Sequence, residues 1–233
     1  MAKIGLIGCG MWGRNLARNL AQLGVLVAVA DRNSKAADEF ASAFNVTAMA
    51  VDSLVEQKSI DGIVIATSAP SHYKLALAGL VAGKHLYIEK PLSLSLETAH
   101  AIRDAAKSAQ KQVMVGHLIR YHAAFIELQK QLAAGAIGKL CHVQANRLAL
   151  GRIRTTESVL FDLCPHDLSL ILALVGEQPA RIHCVGASHM TPGVVDFLTS
   201  FLGFEITKEI SMIGIAIKMF FVVTVPVIFG MIV

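Results

Sequence analysis

Short apolar runs and helix-period segments alternate along the first half of the chain. Residues 3–8, "KIGLIG", form an apolar run of strand length. The following "MWGRNLARNLAQLG" repeats apolar residues at helical spacing until Gly24 stops it. "VLVAVAD" predicts a second strand and "SKAADEFASAF" the next helix, with Ser34 as its N-cap. "GIVIAT" is a strand followed by the helix "SHYKLALAGLVAG". "HLYIE" is a strand followed by "SLETAHAIRDAAKSAQ", which Ser95 opens. "QVMVG" closes the series before a helix from about Ala123 to Ala134. Strict alternation predicts βαβ units, hence a parallel sheet covered on both faces. Right-handed crossovers then give a doubly wound α/β domain, placed at residues 1–118.

After Gly138 the pattern changes. "KLCHVQANRLALG" is long and partly alternating, as a strand with one wet face would be, and "HDLSLILALVG" is an apolar helix. "ARIHCVGASHM" and "VVDFLTSFLGFE" read as further strands. These predict an α+β domain over 119–233 with a mostly antiparallel sheet. From Ile210 to Val233 the chain holds 24 residues with one charge, Lys218, and one proline, Pro226. That length suffices for a bilayer span. Lys218, Pro226 and the β-branched "FFVVTVPVI" favour core strands over a membrane anchor.

Composition narrows the classes. With 54% hydrophobic and 16% charged residues, the chain is not disordered. A net charge of +4 without clustered basic residues suits an anionic small substrate rather than nucleic acid. Cys9, Cys141, Cys164 and Cys184 form no C-x-x-C pair. They read as free buried thiols in a reducing cytoplasm, with no zinc or other metal site. The N-terminus starts on a strand, leaving no room for a secretory signal.

"GLIGCGMWGRN" sets Gly8, Gly10 and Gly13 between the first strand and the first helix, and Asp31 ends the second strand. Glycines there allow a tight turn, close approach of the backbone to a pyrophosphate, and close helix–strand packing. Gly8, Cys9, Gly10, Met11, Trp12 and Gly13 form the expected cradle. Asp31 can accept from ribose hydroxyls and repels a 2′-phosphate, which favours NAD over NADP. The adjacent Arg32 argues the other way. Thr67, Ser68 and Pro70, at the carboxyl end of the run "GIVIAT", are expected near the same cofactor crevice, and His72 has either that role or a local one.

Glu89, Lys90 and Pro91 follow the next strand, on the same edge. "LFDLCPHDL" places Asp162 and His166 four residues apart, on one face if helical. Asp167 reads as a first-turn acid. Removing a hydride from an alcohol needs a base for the hydroxyl proton and a cation to orient the oxygen. A lysine and a histidine supply both. Taken singly, Lys90 is also an ordinary strand-end lysine and His166 an ordinary helix-start group.

In combination these motifs resemble the Gfo/Idh/MocA oxidoreductases over residues 3 to about 205: an N-terminal Rossmann domain, E-K-P at Glu89–Pro91, and D-x-x-x-H at Asp162 and His166. The resemblance implies that Lys90, Asp162 and His166 are the catalytic group, with Glu89 and Lys90 beside the cofactor. It also implies a second domain with a large open sheet that mediates homo-oligomers. The tail 206–233 departs from the family pattern, so the reading expects a second domain truncated or altered there. "GHLIRYHAAFIEL" and "NRLALGRIRTTESVLFDLCPHDLSLILALVGE" resemble the nucleotide-sugar branch, in particular UDP-N-acetylglucosamine 3-dehydrogenases. That likeness implies oxidation at the sugar C3, with an aminotransferase downstream in lipid A synthesis. Arg120, Tyr121, His122, Arg147, Arg152 and Arg154 are its candidate substrate contacts, with solvated arginines as the alternative. Rival readings are a dehydrogenase of the uronic acid form or of a polyol such as inositol, and a catalytically idle NAD-binding sensor or scaffold.

Overall fold

A computed structural model describes residues 1–147, 155, 157–204 and, as backbone, 219–225. The chain divides into two units, Met1–Gly116 and His117–Val233. The first unit runs β1 (Ile4–Ile7), α1 (Met11–Gln22), β2 (Leu26–Ala30), α2 (Ser34–Phe44), β3 (Thr47–Met49), α3 (Val51–Glu56), β4 (Gly62–Ile65), α4 (Ala69–Val81), β5 (His85–Ile88), α5 (Leu96–Ala109) and β6 (Val113–Val115). Its six strands are all parallel in the order β3-β2-β1-β4-β5-β6.

Successive strand residues point to opposite faces, so strands covered on both sides must be apolar throughout. Leu6 and Val64 join one core with Ala17, Val29 and Phe40. Their neighbours Ile7, Ile63 and Ile65 join the other, with Leu80, Ile88 and Ile102. Each fully buried aliphatic side chain contributes about 1.5–3 kcal/mol relative to exposure. The doubly wound expectation therefore holds. Two short elements, β3 and α3, fall below the length at which periodicity shows. Ser34 is the first helical residue of α2 rather than its cap: Asn33 is the N-cap and makes no side-chain cap bond. Ser95 does cap α5, its hydroxyl accepting the Thr98 N–H at 3.2 Å.

The second unit opens with a 3₁₀ turn at Leu118–Tyr121, followed by α6 (Ala123–Ala133), β7 (Gln144–Asn146), α7 (Val159–Asp162), α8 (Cys164–Val175), β8 (Arg181–Ala187), β9 (Phe197–Phe204) and β10 (Met219–Val225). The sheet order is β7-β10-β9-β8. β10 and β8 pair antiparallel with β9, and β7 pairs parallel with β10. Leu198, Ser200, Leu202 and Phe204 of β9 are buried, while the residues between them are more exposed, giving one dry and one wetter face. The dry face packs with Val159, Cys164 and Ile171 of α7 and α8. This is the expected α+β domain with a mostly antiparallel sheet.

Several expectations change in detail. The strand expected over 139–151 is only three residues long, and 148–151 lie outside the described residues. α7 was not anticipated, and α8 starts at Cys164 rather than His166. In the apolar tail, Met219–Val225 is a strand paired on both sides. The rest of 206–233 lies outside the described residues. Among the described residues no helix is long and apolar enough to cross a membrane. Cys9 and Cys164 are buried free thiols as expected, but Cys141 and Cys184 are exposed.

Candidate active site

In a parallel sheet every loop that follows a strand emerges at the same edge. The carboxyl edge of the first sheet therefore gathers Gly8–Gly13 after β1, Asp31 after β2, Thr67–Pro70 after β4 and Glu89–Pro91 after β5. The strand order reverses between β1 and β4, where such sheets open a crevice. The loops after those two strands are in backbone contact. A Cβ on Gly8, whose φ is +108°, would stand 2.6 Å from the Ala66 carbonyl carbon and oxygen. A Cβ on Gly13 would collide with the Gly8 carbonyl oxygen. Gly10 differs: a Cβ there meets nothing within 4 Å. Two glycines are thus needed for packing, and the third leaves open space at the start of α1.

That open space suits a pyrophosphate. The first amides of α1 have no intrahelical acceptor, and no acid stands in its first turn to occupy them. Met11 and Trp12 carry these amides, with side chains 88% and 40% exposed. Cys9 is buried, and burial first, then Asp31, pushes its thiol up to about 12, with Arg14 opposing. It stays neutral at physiological pH and presents no negative charge to a phosphate. Asp31 Oδ2 accepts the Cys9 N–H at 2.8 Å, and Oδ1 accepts the Asn33 N–H at 2.8 Å. Each oxygen retains a lone pair for a ribose hydroxyl. The sequence predicts Asp31 as a ribose acceptor. Its bond to Cys9 adds a second role, tying the end of β2 to the glycine loop.

Thr67 and Ser68 connect β4 to α4 on this edge. The Ser71 hydroxyl donates to the Ser68 carbonyl at 2.7 Å, and its oxygen lies 2.7 Å from the Thr67 hydroxyl. Ser68 is the N-cap of α4, and Pro70 is exposed in its first turn. His72 takes the internal alternative rather than facing a cofactor. It is 1% exposed, with Nδ1 2.8 Å from the Pro91 carbonyl oxygen and Nε2 3.0 Å from the Thr67 carbonyl oxygen. Glu89 is also buried. The Tyr87 hydroxyl donates to its Oε1 at 2.8 Å, and the Lys90 N–H to its Oε2 at 3.3 Å. Gly116 closes this corner, since a Cβ there would stand 2.7 Å from both Glu89 Oε1 and the Tyr87 hydroxyl. Lys90 itself is half-buried, and the Lys90–Pro91 peptide is cis.

In the second unit, Asp162 ends α7 and His166 lies in the first turn of α8. Leu163 between the helices keeps a right-handed helical backbone, φ −105° and ψ −44°. The four-residue offset is therefore close to one turn, and both side chains are half-buried. Asp167 is more than a first-turn acid. It is 5% exposed and forks the Arg147 guanidinium, with Nε–Oδ2 and Nη2–Oδ1 both 2.8 Å. This hydrogen bonding raises the Arg147 pKa against the opposing effect of burial. Arg147, expected to meet substrate, thus commits two of its nitrogens to Asp167. His122 is an N-cap, its Nδ1 accepting the Ala124 N–H at 3.3 Å. Arg120 and Tyr121 are exposed on the 3₁₀ turn. Arg152 and Arg154 lie outside the described residues. Among the described residues no cluster of three metal-ligating side chains occurs.

Comparison with known proteins finds a family match in each of the two units. Residues 2–117 match the family described as "Oxidoreductase family, NAD-binding Rossmann fold", and residues 125–212 match the "GFO/IDH/MocA C-terminal domain". A UDP-N-acetylglucosamine 3-dehydrogenase of Acidithiobacillus ferrooxidans is 34% identical over 191 residues, covering 81% of this chain and 59% of the relative. An inositol 2-dehydrogenase of Acidothermus cellulolyticus is 31% identical over 78% of this chain and 56% of its own. This chain thus spans less than two thirds of those relatives' length. A solved structure of the Acidithiobacillus enzyme superposes with a TM-score of 0.81 at 29% identity, over 97% of this chain and 67% of that one. A Lactobacillus casei scyllo-inositol dehydrogenase with bound NAD(H) shares the fold, with a TM-score of 0.81 at 18% identity over 97% of this chain and 70% of that one. The chain belongs to the Gfo/Idh/MocA family of oxidoreductases, and its first unit is that family's NAD-binding Rossmann domain.

Proposed function

We propose that this chain carries the catalytic machinery of an NAD-dependent dehydrogenase that oxidises a sugar hydroxyl, C3 of UDP-N-acetylglucosamine. The observation that carries the reading is Lys90 on the carboxyl edge that also bears the open Gly10 and the Asp31 carboxylate. The identity to a UDP-N-acetylglucosamine 3-dehydrogenase supports the substrate.

NAD, when bound, accepts the hydride. Gly8 to Gly13 hold its pyrophosphate through backbone amides, and Asp31 holds the adenosine ribose. Glu89 lines the same edge, and Thr67, Ser68 and Pro70 border the crevice. Lys90 orients the reacting hydroxyl by a charge-assisted hydrogen bond. His166 takes the hydroxyl proton, so the carbon that loses a hydride and its oxygen that loses a proton become a ketone. Asp162 sets the environment of His166 or binds the sugar. Arg120 and Tyr121, exposed on their turn, meet the diphosphate and sugar with Arg152 and Arg154. The product is a ketone, which an aminotransferase would consume. The wetter face of the second sheet is the proposed surface for homo-oligomers, since Phe201 and Val185 are 36% and 51% exposed there.

The test is NADH absorbance with the full chain across UDP-N-acetylglucosamine, its uronic acid form and myo-inositol. Turnover is expected with the first, and Lys90→Met should lower it about a hundredfold with NAD affinity retained. Turnover confined to inositol would favour the polyol reading, which the inositol 2-dehydrogenase relative also supports. NAD binding without turnover on any of the three would leave a binding protein.

A further inference from the structure

We infer that His72 is a positioning residue for Lys90, acting through the Pro91 carbonyl; the inference rests on the proposed role of Lys90. His72 belongs to the first turn of α4, yet its ring reaches the loop after β5. One ring nitrogen lies against the Thr67 carbonyl and the other against the Pro91 carbonyl. The side chain is 1% exposed and both ring nitrogens lie against backbone carbonyls, so it presents no exposed polar atom to the crevice side of the loop. What it does is join two loops of the carboxyl edge.

The join matters because of what lies next to it. The backbone enters this loop from β5 with the Glu89 N–H on the Ile65 carbonyl at 2.9 Å. The Lys90 N–H is held by the Glu89 carboxylate. Pro91 has no N–H, so its carbonyl is the one backbone group through which that residue can be held. His72 holds it. Lys90 is thereby fixed from the strand side by Glu89 and from the loop side by His72. A lysine side chain is a long lever, and a small rotation of its backbone displaces the ammonium far more than the Cα. A displacement of about 1 Å at a reacting group costs on the order of a hundredfold in rate.

The two ring contacts can be separated. Asparagine places its amide nitrogen at about the reach of Nδ1, and glutamine at about the reach of Nε2. His72→Asn can keep the Pro91 bond and lose the Thr67 bond; His72→Gln does the reverse. If His72 only fills space, the two variants should behave alike, or glutamine should do better because it is larger.

The experiment measures reductive dimethylation of Lys90 in the full chain without cofactor, by mass spectrometry, relative to exposed Lys107. Loosening of the loop should raise the Lys90 rate about threefold or more in His72→Gln, with His72→Asn closer to the parent. Equal rates in the two variants, or no change in His72→Gln, would overturn the inference. Turnover supplies the second arm. His72→Gln should lower kcat about tenfold or more while leaving the Kd for NAD unaltered, and should add nothing in a Lys90→Met background. A raised Kd for NAD with unchanged kcat would place His72 in cofactor binding instead. Normal turnover by Lys90→Met would refute the role of Lys90, and the labelling result would still show whether His72 holds it.

Discussion

Gly10→Ala separates the cofactor from the fold. Gly10 has φ −84° and ψ −170°, a backbone that alanine adopts without strain. Among the described glycines with ordinary φ, it is the one whose added Cβ meets nothing within 4 Å. Two small terms act on stability. Alanine reduces the freedom of the unfolded chain, worth about 0.4–1 kcal/mol. Alanine is also a poorer N-cap than glycine, and Gly10 caps α1, which costs about 0.5–1 kcal/mol. The two nearly cancel, so the melting temperature should move by less than about 2 °C. Binding is another matter. A methyl group in the space that a pyrophosphate approaches displaces it from the amides of α1. Losing one hydrogen bond to a charged group costs about 1.5–3 kcal/mol, a weakening of about 10- to 150-fold. Titration calorimetry with NAD reads the affinity and scanning calorimetry the stability. Gly13→Ala is the control: its methyl collides with backbone, so both stability and affinity should fall. An unchanged Kd in Gly10→Ala, with melting also unchanged, would refute the placement of the pyrophosphate over Gly10.

Calorimetry should show tighter binding of NAD than of NADP, and Asp31→Ser should narrow the gap while weakening NAD; tighter NADP binding would make Arg32 the determinant. Asp167→Ala strips a buried carboxylate from Arg147, whose side chain is 29% exposed. Breaking a buried pair costs about 3–5 kcal/mol and access of Arg147 to water reduces this, so chemical denaturation should show a loss of about 2–3 kcal/mol. Asp196 gives a pH dependence. Burial alone would raise its carboxyl, but the amides of Met190 and His189 and the His189 ring outweigh it and hold the carboxyl below its ordinary value. A depressed folded pKa contributes stability above the unfolded value that is lost as pH falls toward the folded one. Acid unfolding of the chain should therefore shift, and Asp196→Ala should remove that component of the profile; an unchanged profile would show that the β8–β9 connection does not depend on it.

Much of the first unit is legible because its information is local. Strand-length apolar runs, glycines at a strand end and an acid after the next strand all lie within a few tens of residues. What escapes is partnership. His72 is visible in the sequence, but Pro91 lies 19 residues away and meets it only because β4 and β5 are neighbours. Arg147 is likewise visible as an arginine, while the carboxylate that claims it is 20 residues on. A signal was present, since Asp167 stands beside His166 in an apolar helix where an unpaired acid would be costly. Asn33 displaces Ser34 as the N-cap of α2 although both can cap, and its backbone N–H is fixed by the Asp31 carboxylate two residues earlier.

The second unit is harder to read because its strands pair across long separations. β10 lies between β7, some 75 residues earlier in sequence, and β9. Its apolar sequence alone fits a bilayer or a sheet, and only the pairing on both sides decides for the sheet. The same logic bears on the chemistry. A parallel sheet sends every loop after a strand to one edge, so Gly10, Asp31, Thr67 and Lys90 are predictable companions from sequence spacing alone. Asp162 and His166 have no such guarantee. Their relation depends on Leu163 keeping a helical backbone between α7 and α8, a property of one residue at a helix junction. The edge shared by the proposed cofactor residues is therefore written into the topology, while the alignment of Asp162 with His166 depends on the local geometry of that junction.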